Sequence, residues 1–224
     1  MFRLVIFDCD GVLIDSEPIS SRVLAEELTR LGWMMSGAEC EQRFVGISFY
    51  DVRPMIEAHL GCTLPVDWLD MLVARVADTM TREAIAVEGA VAALHSVTAL
   101  GLDWCVASNS SYQEMDAKFG CTGLSALVAG RVHSAVDVIA EGGQGKPAPD
   151  LFLRAARSAR VEPAACVVIE DSVVGARAAA AAGMACWALC PRGDGAALAA
   201  EGALVFRSLA ELPALLSSAT ANRR

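Results

Sequence analysis

Two aspartates one residue apart, Asp8 and Asp10 of D-C-D-G, follow directly on the apolar run Leu4–Phe7. In an extended segment residues i and i+2 point the same way, so both carboxylates project from one side of the end of that run. Anions that close repel each other, and the remedies are a raised pKa or a bound cation. A second acid pair, Glu170 and Asp171, follows the run CVVI at 166–169 and precedes Ser172 and Gly175. If the two runs are parallel strands, four carboxyl groups share one rim, an arrangement that calls for a hard, oxygen-binding cation with open positions, Mg2+. Each pair alone has a plainer reading, DCDG as a solvated turn and EDS as a helix cap.

Two further segments bear on the same rim. Ser108, Asn109 and Ser110 follow the run WCVA at 104–107 and offer a hydroxyl and a turn of backbone N–H groups, a cradle for phosphate oxygens or a simple helix N-cap. Lys146 lies in GGQGKPAPD, where Pro147 and Pro149 restrict the backbone and the glycines allow close approach to a ligand. A lysine on a stiff loop can hold one anion. The string is not a P-loop, because residue 140 is Ala and Pro147 stands where Ser or Thr should follow the lysine. The sequence has no G-x-S-x-G and no H-E-x-x-H, and His59, His95 and His133 are scattered and read as structural.

These groups need elements that carry them to one place. The runs at 4–7, 104–107 and 166–169 read as buried parallel strands, with a weaker strand at 185–189. Helical stretches at 89–100 and 149–160 alternate with them, which predicts a doubly wound α/β sheet with ligands bound at the carboxyl ends of its strands. Residues 16–84 break the rhythm. Amphipathic patterns near 18–31, 51–60 and 66–84, with no convincing strand, predict a helical insert between a core of residues 1–15 and one of 85–224. Ser16 can cap the first of these helices, Pro18 is tolerated in its first turn, and Gly32 stops it. The Ala-rich run 176–182 predicts a helix packed tightly on the sheet.

Composition narrows the function. At 224 residues the chain can bury roughly 70% of its unfolded surface. Hydrophobic residues at 54% and charged ones at 20% exclude disorder. A formal charge of −9 argues against nucleic acid or an anionic membrane as partner. Eight cysteines without a C-x-x-C pair read as reduced cytoplasmic thiols rather than as a zinc site or a disulfide framework. The apolar run at the N-terminus is too short for a signal-peptide core, and the longest apolar stretch, 178–190, falls below the ~20 residues of a membrane span. Oligomeric state is not read from these features, and a monomer is compatible with them.

Taken in order, FDCDGVLIDSE, VASNS, GKPAPD and VVIEDS resemble the four motifs of the haloacid dehalogenase superfamily, in the branch with a helical cap inserted after the first motif. The resemblance runs from Phe7 to Gly183. Within the superfamily the chain looks most like sugar-phosphate and 6-phosphogluconate-type phosphatases, with β-phosphoglucomutases as near relatives. The resemblance implies that Asp8 attacks phosphorus and becomes an aspartyl phosphate, while Asp10 protonates the leaving alcohol and then activates water. It implies Mg2+ held by Asp8, the backbone carbonyl of Asp10 and Asp171, with Glu170 binding directly or through water. Ser108, Asn109 and Lys146 would hold phosphoryl oxygens, and the substrate would be a small phosphorylated metabolite.

Three other readings compete. The phosphosugar mutases resemble the chain through Val45 to Ser48, yet carry an arginine where Phe49 stands and a histidine where Ser20 stands, so transfer to water is favoured. Metal-independent dehalogenases lack the second acid that Asp10 supplies. A regulatory or binding module would have lost a chemical residue, whereas Asp8, Asp10, Ser108, Lys146, Glu170 and Asp171 are all present. Glu17, Arg43, Ser48, Phe49 and Arg53 are the insert residues that could face the substrate.

Overall fold

The computed structural model of the protein describes residues 1–44 and 49–221. Its strands are β1 (Leu4–Phe7), β2 (Ile14–Asp15), β3 (Ile85–Ala86), β4 (Asp103–Ser108), β5 (Val132–Ser134), β6 (Cys166–Glu170), β7 (Ala185–Leu189) and β8 (Leu204–Phe206). Its helices are α1 (Glu17–Arg30), α2 (Gly37–Phe44), α3 (Phe49–Leu60), α4 (Trp68–Glu83), α5 (Ala90–Ala99), α6 (Tyr112–Thr122), α7 (Ser125–Val128), α8 (Ala135–Ala140), α9 (Asp150–Ala159), α10 (Val173–Ala181), α11 (Ala196–Ala200) and α12 (Leu212–Ala221). The chain divides into two units, Met1–Ile14 with Ala86–Arg224, and Asp15–Ile85.

The first unit is the doubly wound α/β fold. Six parallel strands lie in the order β5-β4-β1-β6-β7-β8, and the chain builds outward from β1 on one side and then on the other. The loops that leave β4 and β6 therefore part on either side of β1, which opens a crevice at the carboxyl ends of these strands. All four residues of β1 are buried, as a strand covered on both faces must be. Leu4 and Ile6 pack with Cys105, Cys166, Val168, Leu151 and Phe152 on one face, and Phe7 meets Trp104 edge-on at 6.3 Å on the other. The register pairs Phe7 with Val106 and with Ile169, so Asp8, one residue further on, emerges level with Glu170. Strand alternation then points Asp8 and Glu170 to the face that carries Ile6 and Val168.

Burial confirms the tight packing expected of the Ala-rich run, because Ala176, Ala178 and Ala179 of α10 are fully buried. β5 and β8 are not foreseen in the sequence. They have three residues each, and V-H-S and L-V-F are too short to show a period. All eight cysteines are free thiols, and among the described residues no helix is long and apolar enough to cross a membrane.

The second unit is helical, with a core of its own built from Val23, Leu28, Phe44, Val52, Ile56, Trp68, Leu72 and their neighbours. Gly32, at φ +97°, ends α1 as expected, but Ser16 makes no side-chain cap bond, so the start of that helix rests on Glu17 and Pro18. α2 is an addition to the sequence reading. Ser36 and Glu39 exchange the bonds of a capping box before it, a signal present in S-G-A-E and overlooked.

One buried polar contact ties α1 to α4: the Trp68 indole Nε1 donates to Glu27 Oε1 at 2.9 Å, and Arg30 donates to both oxygens of the same carboxylate. The Arg30 hydrogen bonds, aided by Trp68, outweigh burial and hold the Glu27 carboxyl below its ordinary value. The stabilisation is therefore present above the ordinary glutamate pKa of 4.5 and fades as pH falls through the lower folded value. Glu27→Gln, which keeps an acceptor for Trp68 but loses the charge, is expected to cost about 1 kcal/mol at pH 7, held down by the exposure of Arg30. In urea unfolding followed by tryptophan fluorescence the gap from wild type should close below pH 4.5. Equal stability at pH 7 would contradict this account.

Candidate active site

Asp8, Lys146 and Glu170 form a buried chain of charge at the ends of β1 and β6. Lys146 Nζ donates to Asp8 Oδ1 and to Glu170 Oε1, both at 2.6 Å, and the Glu170 side chain is fully enclosed. Glu170 Oε2 accepts from the backbone N–H groups of Asp171 and Ser172 and from the Ser172 hydroxyl. That hydroxyl in turn accepts from Gly175 N and caps α10, so the cap reading of EDS and the acid cluster are both real. A Cβ at Gly175 would overlap the Glu170 carboxyl, which explains the glycine in the first turn of the helix. Burial disfavours the Lys146 ammonium, but Asp8 and Glu170 outweigh it and leave the pKa raised.

Asp171 completes the cluster. One oxygen from each of Asp8, Glu170 and Asp171 lies within 4.8 Å of the others. Gly11, at φ +78°, lets the turn after β1 run against Asp171, where a Cβ would overlap the carboxylate. Burial, reinforced by Glu170 and Asp8, pushes the Asp171 carboxyl well above the usual range. Burial likewise pushes Asp8 up to about 7, with Lys146 pulling it down and Glu170 pushing it further up. Among the described residues no donor reaches the Asp171 carboxylate. Three clustered carboxyl groups beside one ammonium leave negative charge that a further cation would balance, and an all-oxygen donor set without histidine or thiolate fits a hard divalent ion.

Asp10 departs from the expected picture of four convergent carboxylates. Its side chain is not part of the cluster; both its oxygens accept from Lys118 Nζ at 2.8 Å, and Oδ2 accepts also from the Ser110 hydroxyl at 3.0 Å. Asp8 and Asp10 are thus sorted by two different lysines. Lys118 is 3% exposed and was missed in the sequence. The signal was there, since Met115, Lys118 and Phe119 lie on the one buried face of α6 and a lysine in that stripe needs an anion.

Ser108 ends β4 and is buried, with its Oγ accepting from Ser110 N at 3.1 Å. Asn109, expected among the phosphate-binding groups, has a different use for its side chain: Oδ1 accepts from Lys146 N at 2.9 Å and Nδ2 donates to Lys146 O at 3.1 Å. It fixes the lysine loop on the strand ends. Gly145 makes this clamp possible, because a Cβ there would lie 2.7 Å from Asn109 Oδ1. The glycine thus serves a close approach to the protein rather than to a ligand. A cavity of about 190 Å³ opens among these groups, lined by Asp8, Asp10, Ser108, Asn109, Ser110, Lys146, Ser172 and Val174.

The helical unit's candidates are less supported. Arg53 donates to the carbonyls of Leu64 and Pro65 and pairs with Glu57 at 3.1 Å, and Arg43 lies over the Trp33 ring at 4.9 Å. Both cations have work within their own unit. Glu17 opens α1 and Phe49 opens α3, while Ser48, with Val45 to Ile47, lies outside the described residues.

Comparison with known proteins agrees with this geometry. The family described as haloacid dehalogenase-like hydrolase matches residues 2–183. The 6-phosphogluconate phosphatase of Escherichia coli is 30% identical over 212 residues, 94% of this chain and 93% of that protein. A HAD family hydrolase from Deinococcus radiodurans, solved with bound phosphate and sodium, superposes with a TM-score of 0.80 at 37% identity and covers 98% of this chain and 96% of its own. A haloacid dehalogenase-like protein of unknown function from Agrobacterium tumefaciens gives a TM-score of 0.82 at 31% identity, covering 98% and 100%. With its sheet, its four motifs and its acid cluster in place, the chain belongs to the haloacid dehalogenase-like hydrolases.

Proposed function

We propose that the chain, a hydrolase of phosphoric monoesters, removes phosphate from a small phosphorylated sugar or sugar acid through an aspartyl phosphate on Asp8, with Mg2+ as cofactor. The observation that carries this reading is the buried Asp8 carboxylate fixed by Lys146 beside Glu170 and Asp171, in a cavity that Ser108 and Asp10 also line. Asp8 attacks phosphorus. The new bond forms from a carboxylate oxygen as the ester P–O bond breaks, its electron pair goes to the leaving oxygen, and Asp10 gives that oxygen a proton. Asp10 then takes a proton from water, whose oxygen bonds phosphorus and expels the Asp8 carboxylate.

Ser108 and Lys146 hold phosphoryl oxygens during both transfers, and Asn109 keeps Lys146 in place through its backbone. Asp8, Glu170 and Asp171, with the Asp10 carbonyl, would hold Mg2+, which when bound supplies positive charge against the anionic phosphoryl group. Residues 16–84 are proposed as a cap that selects small substrates, hinged near Ser16 and Val87. Phe49 and Ser20 offer no cation to a second phosphate, which supports water as the acceptor. The substrate of the E. coli relative, 6-phosphogluconate, supports a sugar acid, and the eight free thiols support a cytoplasmic setting.

Phosphate release from a panel of hexose, pentose and gluconate phosphates, with Mg2+ and without any bisphosphate activator, should single out a small group of substrates. Bisphosphate-dependent isomerisation of β-glucose 1-phosphate outrunning hydrolysis would overturn the phosphatase reading. Asp8→Asn should abolish turnover with the fold intact, since uncatalysed monoester hydrolysis demands enhancements of up to ~10²¹. Wild-type kcat in that variant would refute the nucleophile. Asp171→Asn should weaken Mg2+ binding at least about tenfold in titration calorimetry and activity in step with it. Activity unchanged by EDTA would exclude the metal.

A further inference from the structure

Lys118 is a buried cation that the proposed mechanism does not use. It comes from the apolar face of α6, beside Met115 and Phe119, and its three ammonium protons have three acceptors: Asp10 Oδ1 and Oδ2 at 2.8 Å and Ser110 Oγ at 3.2 Å. Ser110 Oγ donates in turn to Asp10 Oδ2 at 3.0 Å, so the three groups close a ring. A lysine so enclosed is costly unless it is paired and hydrogen-bonded, and this one is, to Asp10 and Ser110. The two oxygens of Asp10 are left unequal. Oδ2 accepts two hydrogen bonds, from Lys118 and Ser110, whereas Oδ1 accepts only the one from Lys118 among the described residues.

We propose that Lys118 is a positioning residue for Asp10: with Ser110 it keeps the carboxylate out of the Asp8–Glu170–Asp171 cluster and assigns proton transfer to Oδ1, the oxygen with a lone pair to spare. Without the clamp the Asp10 side chain is free to rotate toward the Lys146 ammonium or the cluster, and the proton donor leaves its line to the ester oxygen. This inference rests on the reading of Asp10 as the acid and base of the reaction, and the test separates the two.

An alkyl phosphate needs a proton on its leaving oxygen, whereas 4-nitrophenolate leaves without one. The ratio kcat/KM covers steps up to the first irreversible one, here phosphorylation of Asp8 with departure of the leaving group, so it isolates the step in which Asp10 is the acid. Lys118→Met, close to the lysine in shape, should lower kcat/KM about 100-fold for 6-phosphogluconate and less than about fivefold for 4-nitrophenyl phosphate. Ser110→Ala should split the two substrates in the same direction by a smaller factor, and it carries the test if Lys118→Met does not fold by circular dichroism. Equal losses on both substrates, or none, in the folded variant would overturn the positioning role. Asp10→Asn is the control. A split there with none at Lys118 defeats this inference alone, and no split at Asp10 defeats the acid reading beneath it.

Discussion

Carboxylates withdrawn from water on one rim of a sheet have to be paired, and most of the local structure around this site follows from that constraint. Asp8 and Glu170 emerge from neighbouring strands on the same face, level with each other, so the observed parallel register brings them together. Lys146 is the answer supplied by the chain, bonding both at 2.6 Å. Its loop must then lie close against the strand ends, which requires Asn109 to bind its backbone and Gly145 to leave room for Asn109. Gly175 and Gly11 admit the Glu170 and Asp171 carboxylates in the same way. These three glycines, far apart in sequence, share one cause.

The same constraint separates the two aspartates of the first loop. Asp8 is bound to Lys146 and Asp10 to Lys118, each at hydrogen-bond distance, so residues only two apart face different cations and are suited to different tasks. A nucleophile needs its lone pair aimed at phosphorus beside groups that stabilise charge, while an acid and base needs to reach the leaving oxygen. The sheet contributes through its switch point: β4 and β6 flank β1, so the loops carrying Ser108 and Glu170 approach Asp8 from opposite sides.

The parts legible in the sequence are those with a local signature. Apolar runs that are buried on both faces announce β1, β4, β6 and β7, and the acids that end such runs mark the rim. V-H-S at β5 carries no such run, and its place is set by pairing with β4. Relations between distant residues were not legible either. Asn109 reads as a ligand-facing amide until Lys146, 37 positions away, is seen to occupy both ends of it. Lys118 sits in the apolar stripe of α6, which calls for an anion opposite it, but only the fold shows that the anion is Asp10, 108 positions before it.

The central claim is that Asp8, held by Lys146, takes the phosphoryl group onto its own carboxylate. Acid quenching of a single turnover in Mg2+, followed by peptide mass spectrometry, tests it directly. The account predicts one added phosphoryl group on the peptide that carries Asp8, appearing before free phosphate and decaying with it. Full substrate turnover with no phosphorylated enzyme at any quench time, or with the group on another residue, would contradict it.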